Sequence, residues 1–331
     1  MNFDLLFANF SKSTILIVGD VMLDTYWWGQ VDRISPEAPV PIVALNKKEL
    51  RVGGAANVAL NTASLGASTA IISVIGKDAD GDQLLSMLKE NNIDVDNIIS
   101  SPKRVTTNKM RVMSRNQQMM RLDAEITTDI DAALEDQLID AVSNYIDANS
   151  PQVLIFEDYN KGVLTKKVIE TITAICVEKN IITAVDPKRK NFLAYKNVTL
   201  FKPNLKEVKE GLNLLIDQIN IESLKTIHKA LRKELNHLIS FITLSEKGVY
   251  YQMGDEMSII PTHIRNIADV SGAGDTVIAV ASLVYATTQN MLLAAEMANI
   301  AGGLVCEEVG TAAINKQKLL AECNLLLSHK V

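Results

Sequence analysis

The chain has few of the residues that mark several protein classes. Among its 331 residues there are only three cysteines, which are widely spaced: Cys176, Cys306 and Cys323. An odd number at this spacing excludes a disulfide framework and a CxxC motif, and it favours a reducing cytoplasm as the location. The four histidines have no metal-ligand spacing, which argues against a zinc enzyme. A net charge of −6 disfavours nucleic acid as a partner, because nucleic-acid-binding domains are normally basic.

Membrane-targeting segments and the commoner nucleotide-binding motifs are also lacking. The first residues include Asp4 and no basic stretch, which is not the pattern of a signal peptide. The longest uncharged run, residues 276–295, is interrupted by polar residues at 287–290. It predicts two buried helices joined by a polar turn, so we expect no membrane partner. There is no P-loop, no GxGxxG after a strand and no protein-kinase motif set, which disfavours the folds that carry them.

The hydrophobic pattern predicts the fold class. Apolar, β-branched runs of strand length recur at residues 15–18, 70–75, 153–156, 181–185, 199–201 and 238–244. Segments with helical periodicity lie between most of them. Continuous apolar strands that alternate with amphipathic helices are typical of a mostly parallel sheet covered on both faces. We therefore predict a doubly wound α/β fold.

Two segments break this alternation. Residues 35–41 contain three prolines, which force extended backbone and forbid a helix. Residues 105–122 alternate in short strand-like runs. We interpret both as parts of a small protruding β-sheet, a lid whose segments of about 25–52 and 103–123 are inserted in one domain spanning 1–331. The exposed edges of such a sheet favour pairing with a second copy, so we expect a homodimer.

Polar residues follow the predicted strands. Ligands of open α/β sheets bind beyond the carboxyl ends of the strands. The strand ends here carry carboxylates, amides and amines, namely Asp20, Glu157, Asp158, Asp186, Lys188, Lys202, Asn204 and the stretch 245–248. Together they predict one active edge, where Asp20, Asp158 and Lys188 are candidates for binding the substrate.

The sharpest local feature is the stretch 269–276, which precedes an apolar helix. Its small residues Gly272, Ala273 and Gly274 let a ligand approach the backbone closely. N–H groups at a helix start, together with the helix dipole, bind an anion such as a transferring phosphoryl group. Asp275 would lie beside that anion, where a carboxylate can accept a hydroxyl proton. The alternative is a glycine-rich turn whose Asp merely favours the helix N-terminus.

A second glycine-rich stretch, residues 53–57, also opens a predicted helix. Gly53 and Gly54 permit tight backbone approach, and Asn57 both donates and accepts hydrogen bonds, as a polyol ligand requires. Asp24, like Asp20, adds a carboxylate that can accept a sugar-hydroxyl proton. The alternatives are an ordinary turn with a helix cap and Asx residues in a turn.

Basic residues are concentrated in one segment. Residues 97–122 contain no Asp or Glu but six basic side chains: Lys103, Arg104, Lys109, Arg111, Arg115 and Arg121. Lys109 and Arg111 are two residues apart, so on a strand they share a face, which suits recognition of a phosphate on the substrate. A solvated basic face is the alternative.

Three motifs, taken in order, resemble those of the ribokinase-like (PfkB) carbohydrate kinases. They are the stretch 53–57, Asn204-Leu205-Lys206-Glu207, and Gly272-Ala273-Gly274-Asp275, and their spacing covers nearly the whole chain. Longer strings at 19–27, 33–41 and 111–118 are similar to one subgroup. That subgroup contains the D-glycero-β-D-manno-heptose 7-phosphate kinases of lipopolysaccharide biosynthesis.

The resemblance implies roles at the active edge. Asp275 would be the catalytic base, and the amides of residues 272–274 would form the anion hole. Asn204 and Glu207 would organise Mg²⁺ and the ATP phosphates through water. The other residues implied at the nucleotide are Leu205, Lys206, Thr243, Ser245, Gly248 and Asn299. Those implied at the sugar are Asp24, Gly53, Gly54 and Asn57, and our own candidates for its phosphate are Lys109, Arg111 and Arg115.

The activity implied by the resemblance is ATP-dependent phosphorylation of the anomeric O1 hydroxyl of the heptose 7-phosphate, giving the 1,7-bisphosphate. Val270 and Ser271 stand where the family often has two threonines, and Thr25 stands where the subgroup more often has a basic residue. Some members carry an adenylyltransferase domain, an activity that we expect here on a separate protein. The alternatives are a related kinase of another sugar or phosphosugar and a non-catalytic sugar or nucleotide sensor.

Overall fold

The computed structural model describes residues 2–115, 117–214 and 218–327. Its strands are β1 (Thr14–Gly19), β2 (Val21–Ile34), β3 (Pro41–Gly54), β4 (Ser68–Ile72), β5 (Val74–Gly76), β6 (Ile99–Ser101), β7 (Thr107–Ser114), β8 (Gln117–Ala124), β9 (Val153–Glu157), β10 (Ile182–Asp186), β11 (Leu200–Phe201), β12 (Ile239–Thr243), β13 (Val249–Met253) and β14 (Glu256–Ile260). Its α-helices are α1 (Phe3–Asn9), α2 (Ala55–Leu65), α3 (Ala79–Glu90), α4 (Ala132–Asn149), α5 (Lys166–Glu178), α6 (Leu205–Gly211), α7 (Ile221–Leu235), α8 (Ala273–Thr288), α9 (Met291–Val305) and α10 (Lys316–Leu327).

An eight-stranded sheet forms the centre of the molecule, in the order β14-β13-β12-β11-β10-β9-β1-β4. The strands from β4 to β12 run parallel, and β13 and β14 complete one edge as antiparallel neighbours. The strand order reverses at β1, which pairs with β4 on one side and β9 on the other. The doubly wound, mostly parallel α/β fold predicted from the hydrophobic pattern is confirmed.

Helices cover both faces of this sheet, and each face has its own apolar core. One core packs α2, α8 and α9 against the sheet, and α1, α3 and α10 add to it. The other core packs α4, α5 and α7 against the opposite face. Burial on both sides explains why strands such as β1 and β9 are continuous apolar runs.

A second sheet of four strands, in the order β3-β2-β7-β8, extends from the end of β1. The prolines of residues 35–41 lie at the turn between the long antiparallel strands β2 and β3 and at the first residue of β3. Strand β7 pairs in parallel with β2, and β8 pairs antiparallel with β7. Both segments interpreted as lid pieces thus contribute strands to one small sheet, and we call that sheet the lid.

The structure differs from the sequence reading at two places in the strands. The apolar run 70–75 is divided into β4, which pairs with β1, and β5, which pairs with β6. The division occurs at Ser73, whose side chain donates a hydrogen bond to the carbonyl of Gly19 at 2.7 Å. Strands β13 and β14 were not predicted. They are joined at Gly254, which has a φ of +59°.

The uncharged run 276–295 forms parts of α8 and α9, which are separated by Gln289 and Asn290. Asn290 caps α9, since its side chain accepts a hydrogen bond from the backbone N–H of Leu293. The predicted pair of buried helices with a polar turn is therefore confirmed. In the described part of the chain, no helix has the length and hydrophobicity needed to cross a membrane.

Candidate active site

The start of α8 meets the carboxyl ends of the parallel strands. Gly272 caps α8 in the left-handed conformation, with a φ of +78°, which favours glycine. A Cβ atom at Gly274 would lie 3.6 Å from Asp186 Oδ2 and 3.7 Å from the Lys202 ammonium nitrogen. The backbone at the start of the helix is therefore next to charged side chains from the ends of β10 and β11, as an anion-binding edge requires.

Asp275 lies in the first turn of α8 and is buried, with 2% of its surface exposed. Its Oδ2 accepts a hydrogen bond from Asn57 Nδ2 at 2.8 Å, and its Oδ1 accepts one from the Tyr159 hydroxyl at 2.8 Å. The bond to Asn57 joins the two glycine-rich stretches, which are 218 residues apart in the chain. A carboxylate oxygen has more than one acceptor position, so Asp275 retains capacity for a substrate hydroxyl.

The protonation equilibrium of Asp275 suits a general base. Burial raises the pKa of its carboxyl to about 6, against the opposing effect of the hydrogen bonds from Asn57 and Tyr159. A base with a pKa just below neutrality is mostly deprotonated at pH 7 and yet accepts a proton more readily than an exposed aspartate.

We expect turnover to fall in mild acid. Only the deprotonated Asp275 can accept a proton, and its pKa is about 6, so the active form is lost as the pH falls through this value. From pH 7 to pH 5 the deprotonated fraction drops roughly tenfold, and kcat should follow it. The measurement is kcat at saturating substrates across this range. A flat profile down to pH 5 would contradict the assignment.

Two more buried carboxylates lie beside Asp275. An oxygen of Glu157 and one of Asp186 lie within 4.8 Å of each other and of an Asp275 oxygen. Asp186 contacts the ammonium groups of Lys202 at 2.8 Å and Lys188 at 3.1 Å. Although burial opposes it, these two lysines hold the pKa of Asp186 below its usual range. The negative charge of this group is therefore balanced by protein cations.

Glu157 differs from Asp186 and Asp275 because no hydrogen-bond donor contacts its carboxyl group in the described part of the chain. Both of its carboxyl oxygens are buried and lack a hydrogen-bond partner in the described part of the chain. Burial, and then the nearby Asp186, raise the pKa of Glu157 well above the usual range. Burial without a hydrogen-bond partner therefore favours the neutral form of this carboxyl over the charged form.

Asn204 and Glu207 form a capping box at the start of α6. The Asn204 side chain accepts a hydrogen bond from the Glu207 N–H at 2.9 Å, and Glu207 Oε2 accepts one from the Asn204 N–H at 2.7 Å. Glu207 Oε1 lies 2.9 Å from the Lys188 ammonium. Each carboxylate oxygen can accept further bonds, and oxygen donors suit Mg²⁺ that keeps its water shell. The pair therefore fits a hydrated magnesium ion.

The two residues inside this motif do not face a ligand. Leu205 packs against the apolar core on the α5 and α7 face of the sheet. Lys206 is exposed, and its ammonium lies 3.9 Å from Glu210 on the same helix. We therefore revise their expected place beside the nucleotide, because the first turn of α6 directs one side chain to the core and the other to solvent.

The other residues expected at the nucleotide lie around the β12 end of the sheet. Thr243 ends β12 and bridges to Asn204, which connects this end to the capping box. Ser245 begins the turn that follows. Gly248 has a φ of +95°, and a Cβ atom there would lie 1.9 Å from the carbonyl oxygen of Ile260, so this glycine is required by the fold itself. Asn299 Nδ2 donates to the carbonyl of Pro261 at 2.8 Å.

Asp20 and Asp158 hold loops, which revises their expected contact with the substrate. The oxygens of Asp20 accept three backbone N–H bonds from the loop after β9, from Tyr159, Lys161 and Val163. Asp158 accepts bonds from the Asn160 N–H, Asn191 Nδ2 and the Tyr195 hydroxyl. Both carboxylates are buried, and each accepts three hydrogen bonds from the loops, one more than Asp275 accepts.

Asp24 and the two glycines of the stretch 53–57 are close together. A Cβ atom at Gly53 would lie 2.6 Å from Asp24 Oδ2. Gly54 has a φ of +60°, and a Cβ atom there would lie 2.5 Å from the Asp20 carbonyl oxygen. The tight approach predicted for these glycines is thus made to the protein's own β2 segment. Asp24 is buried and lies 2.5 Å from the Arg111 guanidinium of the lid.

The basic segment is less positive in the fold than its sequence suggests. Arg111 pairs with Asp24, Lys103 with Asp131 and Arg121 with Asp123. Arg104 donates to the carbonyls of Ile126, Thr128 and Lys161, which ties it to loops. Four of the six basic side chains are therefore engaged by carboxylates or carbonyls of the fold, which neither the phosphate-binding interpretation nor the solvated-face alternative predicted.

Lys109 and Arg111 lie on one face of β7, as their spacing predicts. Lys109 is the pairing partner of Asp24, and its ammonium lies 5.4 Å from the centre of the Tyr159 ring at the active edge. Arg115 lies at the β7–β8 turn, four residues beyond Arg111. This separation corresponds to roughly 13 Å along a strand, so we revise the expectation that Arg115 shares their site.

The sequence reading assigned no role to Tyr159 and placed Glu157, Asp186 and Lys202 only as polar residues after strands. The available signal was position, since each lies at the end of β9, β10 or β11 or within two residues of it. Nothing in the local sequence indicates that the Tyr159 hydroxyl contacts Asp275, because that bond spans 116 residues.

Comparison with known proteins agrees with this geometry. The family described as "pfkB family carbohydrate kinase" matches residues 12–318 of the chain. The chain belongs to the pfkB family of carbohydrate kinases. This membership establishes the chain as a sugar kinase of a family whose activity uses ATP.

Curated relatives in this family bear the name bifunctional protein HldE. The protein of Campylobacter curvus is 38% identical over 324 residues, which cover 97% of this chain and 68% of the relative. That of Syntrophotalea carbinolica is 37% identical over 306 residues, covering 92% of this chain and 61% of the relative. That of Nitratiruptor is 39% identical, covering 93% and 64%. The chain thus spans about two thirds or less of the length of these relatives.

Solved structures share the fold at low sequence identity. Phosphofructokinase-2 from Escherichia coli in complex with potassium has a TM-score of 0.78 at 19% identity, covering 94% of this chain and 98% of that one. Arabidopsis thaliana ribokinase complexed with ribose and ATP has a TM-score of 0.70 at 15% identity, covering 93% and 98%. At this identity the similarity establishes a ribokinase-like fold and nothing about the substrate.

Proposed function

We propose that this kinase transfers the γ-phosphoryl group of ATP to the anomeric O1 hydroxyl of D-glycero-β-D-manno-heptose 7-phosphate, giving the 1,7-bisphosphate. The observation that carries the proposal is the position of Asp275, a buried carboxylate with a pKa of about 6 in the first turn of the glycine-started helix α8. The choice of sugar is supported by the strings at 19–27, 33–41 and 111–118 and by the relatives named HldE.

The chain's own residues supply positioning and electrostatics. The N–H groups at the start of α8 would hold the transferring phosphoryl group, and the ammonium groups of Lys188 and Lys202 add positive charge beside it. Mg²⁺, when bound, would neutralise phosphate charge, and Asn204 and Glu207 are the residues that would hold it through water. Asn57 is positioned to contact sugar hydroxyls as well as Asp275.

Asp275 would accept the O1 proton late in the transfer. A sugar hydroxyl is far less acidic than an aspartic acid, even one whose pKa is raised to about 6, so full deprotonation before attack is excluded on energetic grounds. The proton moves to Asp275 as the new oxygen–phosphorus bond forms and the hydroxyl becomes acidic. This order needs no strong base, only a deprotonated carboxylate within hydrogen-bond reach.

The lid would bind the phosphate that the substrate already carries. The Lys109 ammonium lies over the Tyr159 ring, and burial lowers the pKa of this lysine. A phosphate would supply the hydrogen-bond acceptors and negative charge that this cation lost on burial. Lys109 is therefore a stronger candidate than Arg111 for the phosphate contact. Arg111 can share its guanidinium between Asp24 and a phosphate, because it has five N–H donors.

Replacing Lys109 by Met should weaken binding of the phosphorylated sugar selectively. The loss of one charge-assisted hydrogen bond corresponds to about 1.5–3 kcal/mol, or a roughly 10- to 100-fold higher KM for the sugar phosphate. The KM for ATP should change less than about threefold. Arg115→Met is the matched control, since Arg115 is a lid cation at the exposed β7–β8 turn, and its KM values should stay unchanged. Equal effects of Lys109→Met on both substrates would count against the role.

The proposal includes a cytoplasmic homodimer. Large apolar side chains are exposed on the lid strands, among them Met120 and Leu122 on β8 and Leu45 on β3. Both β8 and β3 are edge strands of the lid, and pairing with a second copy would cover them. We therefore expect the mass of a dimer in light scattering at micromolar concentration. The mass of a monomer there would contradict this part of the proposal.

Adenylyltransferase activity is outside the proposed function of this chain. The relatives named bifunctional protein HldE are longer than the chain, and the carbohydrate kinase family matches residues 12–318 of the chain. We propose that any adenylylation of the product is catalysed by residues other than those described here. An assay with the purified chain, the bisphosphate or monophosphate product and ATP should release no pyrophosphate.

The experiment that tests the kinase proposal uses purified protein, ATP, Mg²⁺ and a panel of hexose, pentose and heptose phosphates. ADP formation should be fastest with the heptose 7-phosphate. A clearly higher kcat/KM for another sugar phosphate would favour the related-kinase alternative. No ADP formation with any of them would favour a non-catalytic sensor.

A further inference from the structure

We propose that Tyr159 is the positioning residue for the catalytic base, holding the Asp275 carboxylate in the orientation that accepts the substrate proton. This inference rests on the proposed function of Asp275 and extends it to a side chain in the loop after β9. The geometry that carries it is the hydrogen bond from the Tyr159 hydroxyl to Asp275 Oδ1, at 2.8 Å.

Tyr159 is itself held at three points. Its backbone N–H donates to Asp20 Oδ2 at 2.8 Å. Two ammonium groups lie near its ring, those of Lys109 at 5.4 Å and Lys188 at 5.2 Å from the ring centre. Each cation lies in the range where it is attracted to the ring face. A side chain fixed in this way delivers its hydroxyl to one place.

Gly54 lies next to this ring. A Cβ atom there would lie 3.5 Å from Tyr159 Cδ2, an ordinary van der Waals distance, and 2.5 Å from the Asp20 carbonyl oxygen. The buried Asp20 contacts no ligand in our revised assignment, and its role is structural. It fixes the loop that carries Tyr159, and Tyr159 in turn fixes Asp275.

Two donors are needed to set the plane of a carboxylate. Asn57 Nδ2 donates to Oδ2 of Asp275, and with this bond alone the group could still rotate about its Cβ–Cγ bond. The Tyr159 hydroxyl on Oδ1 removes that freedom. Because the base acts only when its lone pair faces the O1 proton, a rotated carboxylate would slow the chemical step without weakening the binding of either substrate.

Tyr159→Phe tests this role, because it removes the hydroxyl and keeps the ring near the two lysines. We expect kcat to fall roughly tenfold or more, with KM for ATP and for the sugar phosphate within about threefold of the original values. Tyr195→Phe is the matched control. Tyr195 is buried and donates a hydrogen bond to Asp158 at 2.8 Å. The Tyr195→Phe variant therefore loses an equivalent hydrogen bond away from Asp275, and the kcat of this variant should change less than about twofold.

A double substitution shows whether Tyr159 acts through Asp275. Adding Tyr159→Phe to Asp275→Asn should not reduce the residual rate further, since the group that the hydroxyl orients has already lost its function. A full additional loss of rate, an unchanged kcat in Tyr159→Phe alone, or a loss confined to KM would each overturn the inference.

The crystal structure of Tyr159→Phe tests the same inference without reference to turnover. The Asp275 carboxylate should be rotated or occupy more than one orientation, whereas a single unchanged orientation would overturn the proposal. If the protein phosphorylates a different sugar from the one proposed, the kinetic comparison is made with that sugar. Failure of the proposed function and failure of the positioning role are thereby distinguished.

Discussion

Replacing Asp275 by Asn should abolish turnover while leaving ATP bound. The amide keeps the shape of the carboxylate and can still accept the Tyr159 hydrogen bond, but it cannot take the O1 proton. General-base catalysis contributes about 10²–10⁴-fold, and kcat should fall toward the upper end of this range. The Kd for ATP, measured by calorimetry, should change only a few-fold, because the backbone N–H groups at the start of α8, which would hold the phosphates, are kept in this variant.

Asp158→Asn is the matched control for this substitution. Burial raises the pKa of Asp158 to about 6, as it does for Asp275, and its oxygens likewise accept hydrogen bonds from a tyrosine and an asparagine. Loss of a buried carboxylate alone would therefore affect both variants. We expect Asp158→Asn to change stability and to retain kcat within about tenfold. A kcat near that of the original protein in Asp275→Asn would remove Asp275 from the mechanism.

Replacing Arg111 by Met should destabilise the fold as well as affect the substrate. The guanidinium forms an ion pair with Asp24, which is 3% exposed, and its removal leaves this buried carboxylate with only the longer-range attraction of Lys109. Breaking a buried ion pair in this way costs about 3–5 kcal/mol, and we expect about 3 kcal/mol because Arg111 itself is partly accessible. The free energy of unfolding, from urea denaturation, is the measurement.

Two further variants separate charge from packing at this pair. Arg111→Met combined with Asp24→Asn should recover part of the lost stability, since no unpaired charge remains. Arg121→Met is the matched control, because Arg121 is directly opposite Arg111 on β8 and pairs with Asp123, but its side chain is half exposed. A surface pair contributes less than about 1 kcal/mol, so this variant should be nearly as stable as the original. Equal losses in Arg111→Met and Arg121→Met would contradict the importance of burial.

Much of the fold follows from local patterns in the sequence. Continuous apolar runs such as 15–18 and 153–156 became central parallel strands, because only strands buried on both faces can be apolar throughout. The three prolines in residues 35–41 correctly predicted extended backbone and no helix in that segment. Strands β13 and β14 were missed because polar residues such as Gln252 and Ser258 interrupt their apolar pattern, although side chains of this hairpin pack on both faces of the sheet.

The location of the candidate site could be predicted from the sequence, but the contacts between its side chains could not. Polar residues after parallel strands must meet at one edge, which is why Asp186, Lys188 and Lys202 could be grouped in advance. Which of them pair with one another depends on side-chain directions and on contacts across more than a hundred residues, as between Asn57 and Asp275. For this reason Asp20 and Asp158 looked like ligand-binding carboxylates although their acceptors are engaged by loops.

The basic segment illustrates the same limit of local reasoning. The spacing of Lys109 and Arg111 correctly put both on one face of β7. Their charge, however, has to be counted with the carboxylates that other strands bring near, and Asp24 on β2 compensates Arg111. Lys109 therefore becomes the more informative residue for testing substrate recognition.

The identity of the phosphorylated product tests the central claim most directly. Purified protein is incubated with ATP, Mg²⁺ and D-glycero-β-D-manno-heptose 7-phosphate, and the product is examined by phosphorus and carbon NMR. We predict one ADP for each sugar consumed and a second phosphate ester on the anomeric oxygen, with the 7-phosphate retained. ADP formation without a new ester on O1, or no consumption of this sugar while another sugar phosphate is converted, would contradict the account.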